Sequence, residues 1–245
     1  MSDLRSWSLA GAALAVCAAV VGVLWPDVIP EGEGSPSATP SATTPPPTGE
    51  PAEQLARLRV VERNPDGLPP YRRDAFGSAW ADIDGNGCDQ RDDVLLRDAD
   101  PATVVVGRQR ACDHDVLAGT WTDPYNGTVV TLDDLKNPSQ AQAVQIDHIV
   151  ALAEAWRSGA AEWTDDQRRL YANDLDNLVA AHGPTNAGKG SYDPASWRPK
   201  QQFQCEYATT WIAVKRRWDL AADASEVAAL ADMLATCATG PADLR

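Results

Sequence analysis

The chain has 245 residues and carries 21 basic against 35 acidic side chains, a formal charge of −14. With 44% hydrophobic residues and nine Trp it is too apolar to be disordered throughout. Its acidity excludes coating of nucleic acid by bulk charge, so any such activity needs a local basic patch or a bound cation.

From Ser8 to Trp25 there is no charged residue, and as a helix this stretch would rise about 27 Å, close to the apolar thickness of a bilayer. Arg5 before it and Asp27, Glu31 and Glu33 after it place the N-terminus inside and the rest outside. Residues 1–25 therefore read as a membrane anchor if uncleaved, or as a signal peptide, and either way as an export signal. Residues 26–52 hold 8 Pro, 3 Gly, 3 Ser and 4 Thr, the composition of an extended, solvated linker. Residues 53–245 are left as one domain, expected to be extracellular or at the cell surface.

Within that domain Glu53 to Arg63 reads as helical. Asp82, Asp84 and Asn86, then Gly87 and Asp93, fit an EF-hand-like loop with oxygens at positions 1, 3, 5 and 12 and Gly at 6. Asp93 is shorter than the usual Glu at position 12, and an Asp/Gly-rich turn into a helix at Arg91–Arg97 reads the same residues without Ca²⁺. Val116–Trp121 and Thr128–Leu132 flank Asn126-Gly127, a hairpin signal. Val144–Ile146 is a buried strand candidate, Ile149–Trp156 a helix, and Thr164 with Gln167 a capping box. Leu175–Ala180 is strand-like, Gly183-Pro184 interrupts before a helix start at Thr185, and Gln204–Trp218 and Ser225–Cys237 are amphipathic helices. The fold class is α+β.

Cys17 lies in the apolar segment, whereas Cys88, Cys112, Cys205 and Cys237 lie in the exported domain. No C-x-x-C pair argues for a thiolate metal site. An even number outside the membrane suggests two disulfides. Of the three connectivities, the local pairs Cys88–Cys112 and Cys205–Cys237 are preferred, because each closes one sub-region without crossing the centre.

Chemistry concentrates between Asp147 and Lys189. A carboxylate and an amide oxygen suit a hard divalent cation that keeps waters and borrows phosphate oxygens. A neutral imidazole beside such a cation can take a proton from water. Asn186 followed by Lys189 at a helix start adds backbone N–H groups and a cation near an anionic substrate. His182, four residues before Asn186, is a candidate third ligand, and His114 reads as an exposed histidine made more basic by Asp113 and Asp115.

The run Asp147-His148, Asn177, Asn186 and Lys189 resembles the HNH endonucleases in their His-Asn-Asn form, a ββα-metal fold. Val144 to Val150, Asn177-Leu178, Gly183 to Asn186 and Lys189-Gly190 are similar to exported actinobacterial HNH proteins related to the C-terminal domain of GmrSD restriction enzymes. The similarity extends from about Tyr71 to Cys237 and includes Trp80 to Arg91. The resemblance implies an HNH core with added helices and a hairpin. It further implies Asp147 and Asn186 as metal ligands, His148 as general base, Asn177 as a brace for the loop carrying His148, and Lys189 and Arg91 as phosphate contacts. An Asn in the third position favours Mg²⁺ or Mn²⁺ over Zn²⁺.

Between Asn186 and Trp218, six basic residues (Lys189, Arg198, Lys200, Lys215, Arg216, Arg217) face two acidic ones. Interleaved with Trp197, Trp211 and Trp218, this is where nucleic acid is expected to lie, and an amphipathic helix with buried Trp explains it equally well. The expected function is hydrolysis of phosphodiesters, DNA being the favoured substrate and RNA the alternative, with little sequence specificity and no protein partner inferable. The rival is a non-catalytic, disulfide-stapled Ca²⁺-binding surface module built on the Asp82–Asp93 loop.

Overall fold

The computed structural model describes residues 50–239, so the apolar segment 1–25 and most of the linker lie outside the described residues. Among the described residues, no helix is long and apolar enough to cross a membrane. The chain runs α1 (Pro51–Ala56), α2 (Gln90–Asp98), β1 (Val105–Gln109), β2 (Cys112–Thr122), β3 (Val129–Leu132), α3 (Pro138–Ala141) and β4 (Val144–His148). It continues through α4 (Leu152–Ser158), α5 (Asp165–Ala172), β5 (Leu178–His182), α6 (Gly183–Lys189), α7 (Gln204–Arg217) and α8 (Ala224–Leu234). The class is α+β, with a three-stranded sheet β1-β2-β3 and a two-stranded sheet β4-β5.

The hairpin turn lies where Asn126-Gly127 puts it. Thr122 pairs with Val129, Gly127 takes φ +76°, and the side chains of Asp123 and Asn126 accept from the Tyr125 and Thr128 N–H groups at 2.7 and 2.8 Å. The capping box at Thr164 and Gln167 opens α5. Two expectations shift. The helix expected over 53–63 stops at Ala56, because Val61 donates to the Ala222 carbonyl at 2.9 Å and Val60 bridges Ala222 in parallel. The helix expected from Thr185 starts earlier, at Gly183, with Pro184 in the first turn, where no N–H is needed. Gly183 is required there, since an added Cβ would sit 2.3 Å from the Gln142 carbonyl oxygen.

The β4–β5 ribbon is buried on both faces. Val144, Ile146, Leu178 and Ala180 pack into one apolar cluster with Val94, Leu95 and Trp121. On the opposite face Val179 and Ala181 join a second cluster built on Tyr125, Trp156, Tyr171 and Trp211. Pairing of Asp147 with Val179 and of His148 with Leu178 therefore sends these neighbouring side chains to opposite faces.

Cys88–Cys112 and Cys205–Cys237 form disulfides. Reduction is expected to cost about 2–4 kcal/mol per bridge, read as a drop in unfolding free energy by denaturant titration with and without reductant. Denatured, unreduced full chain should titrate a single thiol, from Cys17; five would refute the bridges.

The basic stretch expected to carry nucleic acid is not a surface patch. Lys189 and Lys215 are fully buried. Lys215 reaches Glu154 at 2.9 Å and Glu226 at 2.6 Å, Arg217 pairs with Asp174 and Asp176, and Arg198 pairs with Asp232 at 3.4 Å. Trp211 is wholly buried, its Nε1–H donating to Glu226 at 2.6 Å. On α7, Lys215 thus neutralises two buried acids, Arg217 pairs with acids of its own fold, and Arg216 donates to the Arg57 carbonyl.

Candidate active site

β4 and β5, separated in the chain by α4 and α5, pair antiparallel, and α6, which follows β5 directly, packs against both. Strand alternation places Gln145 and Asp147 on one face of β4, and α6 turns Asn186 and Lys189 toward that same face. The Asn186 Nδ2–H donates to Gln145 Oε1 at 2.9 Å. The Lys189 ammonium lies 2.9 Å from Asp147 Oδ2 and donates to the His148 carbonyl at 2.9 Å. The Tyr125 hydroxyl donates to the same Asp147 oxygen at 2.5 Å, and Lys189 also lies over the Tyr125 ring. Asp147 is 6% exposed and Lys189 has no exposed surface, so Lys189 meets a carboxylate and a carbonyl, not the solvent where a phosphate would arrive. Burial pushes the Asp147 carboxyl upward against the opposing pull of Lys189 and Tyr125. Burial and the Asp147 charge hold the Tyr125 phenol well above its ordinary range.

The His148 ring leaves by the other face. Its Nε2 lies 2.8 Å from the Ala172 carbonyl at the end of α5. A carbonyl only accepts, so Nε2 carries the proton and Nδ1 the free lone pair. Burial lowers the His148 pKa to about 4, opposed by the Ala172 hydrogen bond and assisted by the charges of Arg73 and Lys189. The imidazole is therefore neutral near pH 7 and able to accept a proton. Trp80 stacks on it with ring centroids 6.0 Å apart and planes 15° from parallel.

Asn177 is fully buried. Its Oδ1 accepts from Val150 N–H at 2.9 Å, its Nδ2 donates to the Val150 carbonyl at 3.2 Å, and its own carbonyl accepts from Ile149 N–H at 2.8 Å. Three bonds from one residue tie down the segment that leaves His148.

The remaining candidates lie elsewhere. His182 stands at the N-cap position of α6 and its ring contacts Thr185 Oγ1 at 3.2 Å; its pairing with Val144 puts it on the face of β4–β5 opposite Asp147. Arg91 is half-buried on α2, where burial lowers its pKa against the charges of Asp89 and Asp92. In the 82–93 loop, Asp82 accepts from Gly85 and Gly87 N–H. The Asn86 amide nitrogen bridges Asp84 and Asp93 at 3.1 and 3.0 Å, so these oxygens converge on an N–H donor. His114 joins Asp93 and Asp113, each at 2.8 Å, and its pKa is raised chiefly by the Asp93 hydrogen bond. Asp115, on the other face of β2, pairs with Lys136 instead. Cys88, Cys112 and His114 cluster closely enough for a metal, but the disulfide consumes both thiols. Tyr125 and Trp80 carry no local sequence signal that marks them as site residues; Gln145 has one, standing two residues before Asp147 on a strand.

Two of the site residues are oxygen donors, although Asp147 Oδ2 is already shared by the Lys189 ammonium and the Tyr125 hydroxyl. Asp147 offers a carboxylate and Asn186 an amide whose nitrogen is turned to Gln145, leaving Oδ1 without a hydrogen-bond partner. Both are hard oxygen ligands of the kind that hold Mg²⁺ or Mn²⁺ through few protein groups.

The family described as GmrSD restriction endonucleases, C-terminal domain, matches residues 89–233, more than half of the chain. An uncharacterized secreted protein of Arthroderma benhamiae is 38% identical over 228 residues, covering 91% of this chain and 98% of that protein. No solved structure matches.

Proposed function

Because the chain belongs to the GmrSD restriction endonuclease C-terminal domain family, we propose that it is an exported, metal-dependent endonuclease that hydrolyses DNA phosphodiesters with little sequence specificity. The proposed catalytic core is the ββα unit β4–β5–α6, in the HNH manner. One observation carries the reading: the neutral His148 ring is locked with Nδ1 as its free base, at the same strand end as the Asp147 carboxylate. Export is supported by the two disulfides and by the secreted relative.

In this reading a substrate phosphate lies across the end of the ribbon, between the faces that carry Asp147 and His148. Asp147 and Asn186 would hold the cation, which supplies charge stabilisation for the phosphorane and the leaving oxygen. His148 takes a proton at Nδ1 from the attacking water while Nε2–H stays on the Ala172 carbonyl. Lys189 orients the Asp147 carboxylate and the His148 carbonyl together, a positioning role in place of a phosphate contact. Asn177 keeps the segment after His148 from shifting as the proton moves.

Plasmid cleavage by the chain with Mg²⁺, Mn²⁺, Ca²⁺ or EDTA tests the proposal; no cleavage with any cation would refute it. Asn186→Ala is expected to raise the Mg²⁺ concentration for half-maximal cleavage several-fold, with excess metal rescuing it further than Asp147→Ala, since a neutral amide contributes less charge to the site. A metal titration of the cleavage rate reads this directly. An unchanged Mg²⁺ requirement would remove Asn186 from the ligand set.

A further inference from the structure

Trp80 precedes the matched family region and carries no catalytic chemistry of its own, yet it occupies an unusual position. Its backbone takes φ +58°, a left-handed conformation that a bulky side chain adopts only when its surroundings hold it there. The hold is visible. The next residue, Ala81, donates its N–H to Asn173 Oδ1 at 2.9 Å, and Asn173 is itself fixed by donating to the Arg169 carbonyl at 2.9 Å. Asn173 directly follows Ala172, whose carbonyl accepts from His148. The end of α5 thus sets two things at once: the edge of the imidazole and the backbone that presents Trp80 to its face.

We infer that Trp80 is a positioning residue for His148, a plate that fixes the plane of the imidazole and covers its face so that water reaches the ring only at its edge. A hydrogen bond at Nε2 leaves rotation about the Nε2···O direction free, and a stacked indole removes that freedom. The near-parallel planes and the 6.0 Å centroid distance are those of an offset stack. Trp80 also packs against the cluster of Val94 and Leu95, so a core-filling role is the competing explanation. The inference rests on the nuclease reading for its activity readout, but the geometry it describes does not.

The test uses the full chain with Trp80→Ala and Trp80→Phe, each checked by thermal melting. Trp80→Ala is expected to lower kcat for plasmid cleavage by about 10- to 100-fold, the cost of a misplaced catalytic group, with KM changed less than twofold. Trp80→Phe, which keeps an aromatic plate, should recover most of kcat. A kcat for Trp80→Ala equal to wild type, or Trp80→Phe as slow as Trp80→Ala, would overturn the inference. NMR of histidine-labelled protein supplies a readout free of activity. The chain has three His, so His148→Ala assigns the His148 signals, and Trp80→Ala should remove their ring-current shift and broaden them. If wild type cleaves nothing while the His148 signals respond as described, the nuclease reading fails and the positioning role stands. If the His148 signals are indifferent to Trp80→Ala, the positioning role fails whatever the activity.

Discussion

Replacing His148 with alanine is expected to slow DNA cleavage by about 10²- to 10⁴-fold, the usual contribution of a general base, while leaving the metal requirement unchanged. The expectation follows from geometry: the proton on Nε2 is committed to the Ala172 carbonyl, and no second base is positioned on that face among the described residues that bond to it. Wild-type rates from the variant at equal enzyme concentration would end the assignment. The same substitution should alter the acid side of the stability curve. His148 titrates near 4 in the folded chain and near 6.5 when unfolded. The unfolded state therefore binds the proton first, and the stability His148 contributes is present above pH 6.5 and lost as pH falls toward 4. The gap is worth about 3 kcal/mol. His148→Ala should lose that much less than wild type between pH 6.5 and 4, measured by urea unfolding; identical slopes would show that the imidazole is not held in its neutral form.

Lys189→Met is expected to destabilise the fold by about 3–5 kcal/mol, because it leaves a buried carboxylate with hydrogen bonds from the Tyr125 hydroxyl and the His148 backbone but without its counter-charge. The double variant Asp147→Asn with Lys189→Met should regain most of that loss, since a neutral amide needs no counter-charge in an apolar site. Denaturant unfolding of the three proteins checks both statements. A Lys189→Met protein as stable as wild type would mean that the ammonium does not neutralise Asp147.

How far the sequence could carry these conclusions differs from element to element. Short-range chemistry was legible: Asn126-Gly127 marked the hairpin, Thr164 and Gln167 the start of α5, and the spacing of the cysteines favoured the pairs observed. The β4–β5–α6 order could be read as well, although β5 starts at Leu178 rather than Leu175, because Asp174 caps a turn through Asp176 and Asn177. What could not be read was the destination of charge. Lys189 stands in a run without local acids and Lys215 beside Arg216 and Arg217, and each meets its acid from a distant segment, Asp147 in one case and Glu154 with Glu226 in the other. Strand β1, with its exposed Val105 and Val106, lacks the alternation that marks a half-buried strand. Tyr125 and Trp80 reach the site only because the hairpin and the segment before α2 fold over it, a long-range event without a local signature.

Among the described residues the ribbon that carries the site has two strands, so β5 pairs with a strand on one side alone, and its sequence Leu178-Val-Ala-Ala-His182 contains no acidic residue, lysine, arginine or proline to deter another chain. The end of α2 closes the other edge. Arg97 donates to the carbonyls of Leu175 and Leu178 at 2.7 and 2.6 Å, and Asp98 accepts from the Ala180 N–H at 2.8 Å. A guanidinium and a carboxylate, two consecutive side chains, thus mimic the donors and acceptors of a missing third strand. They satisfy the Leu178 carbonyl and the Ala180 N–H, two of the edge groups that would otherwise template strand addition and intermolecular sheet growth. Protection against self-association therefore resides in a helix terminus rather than in the strand, which leaves β5 free to be as apolar as its two-sided burial demands.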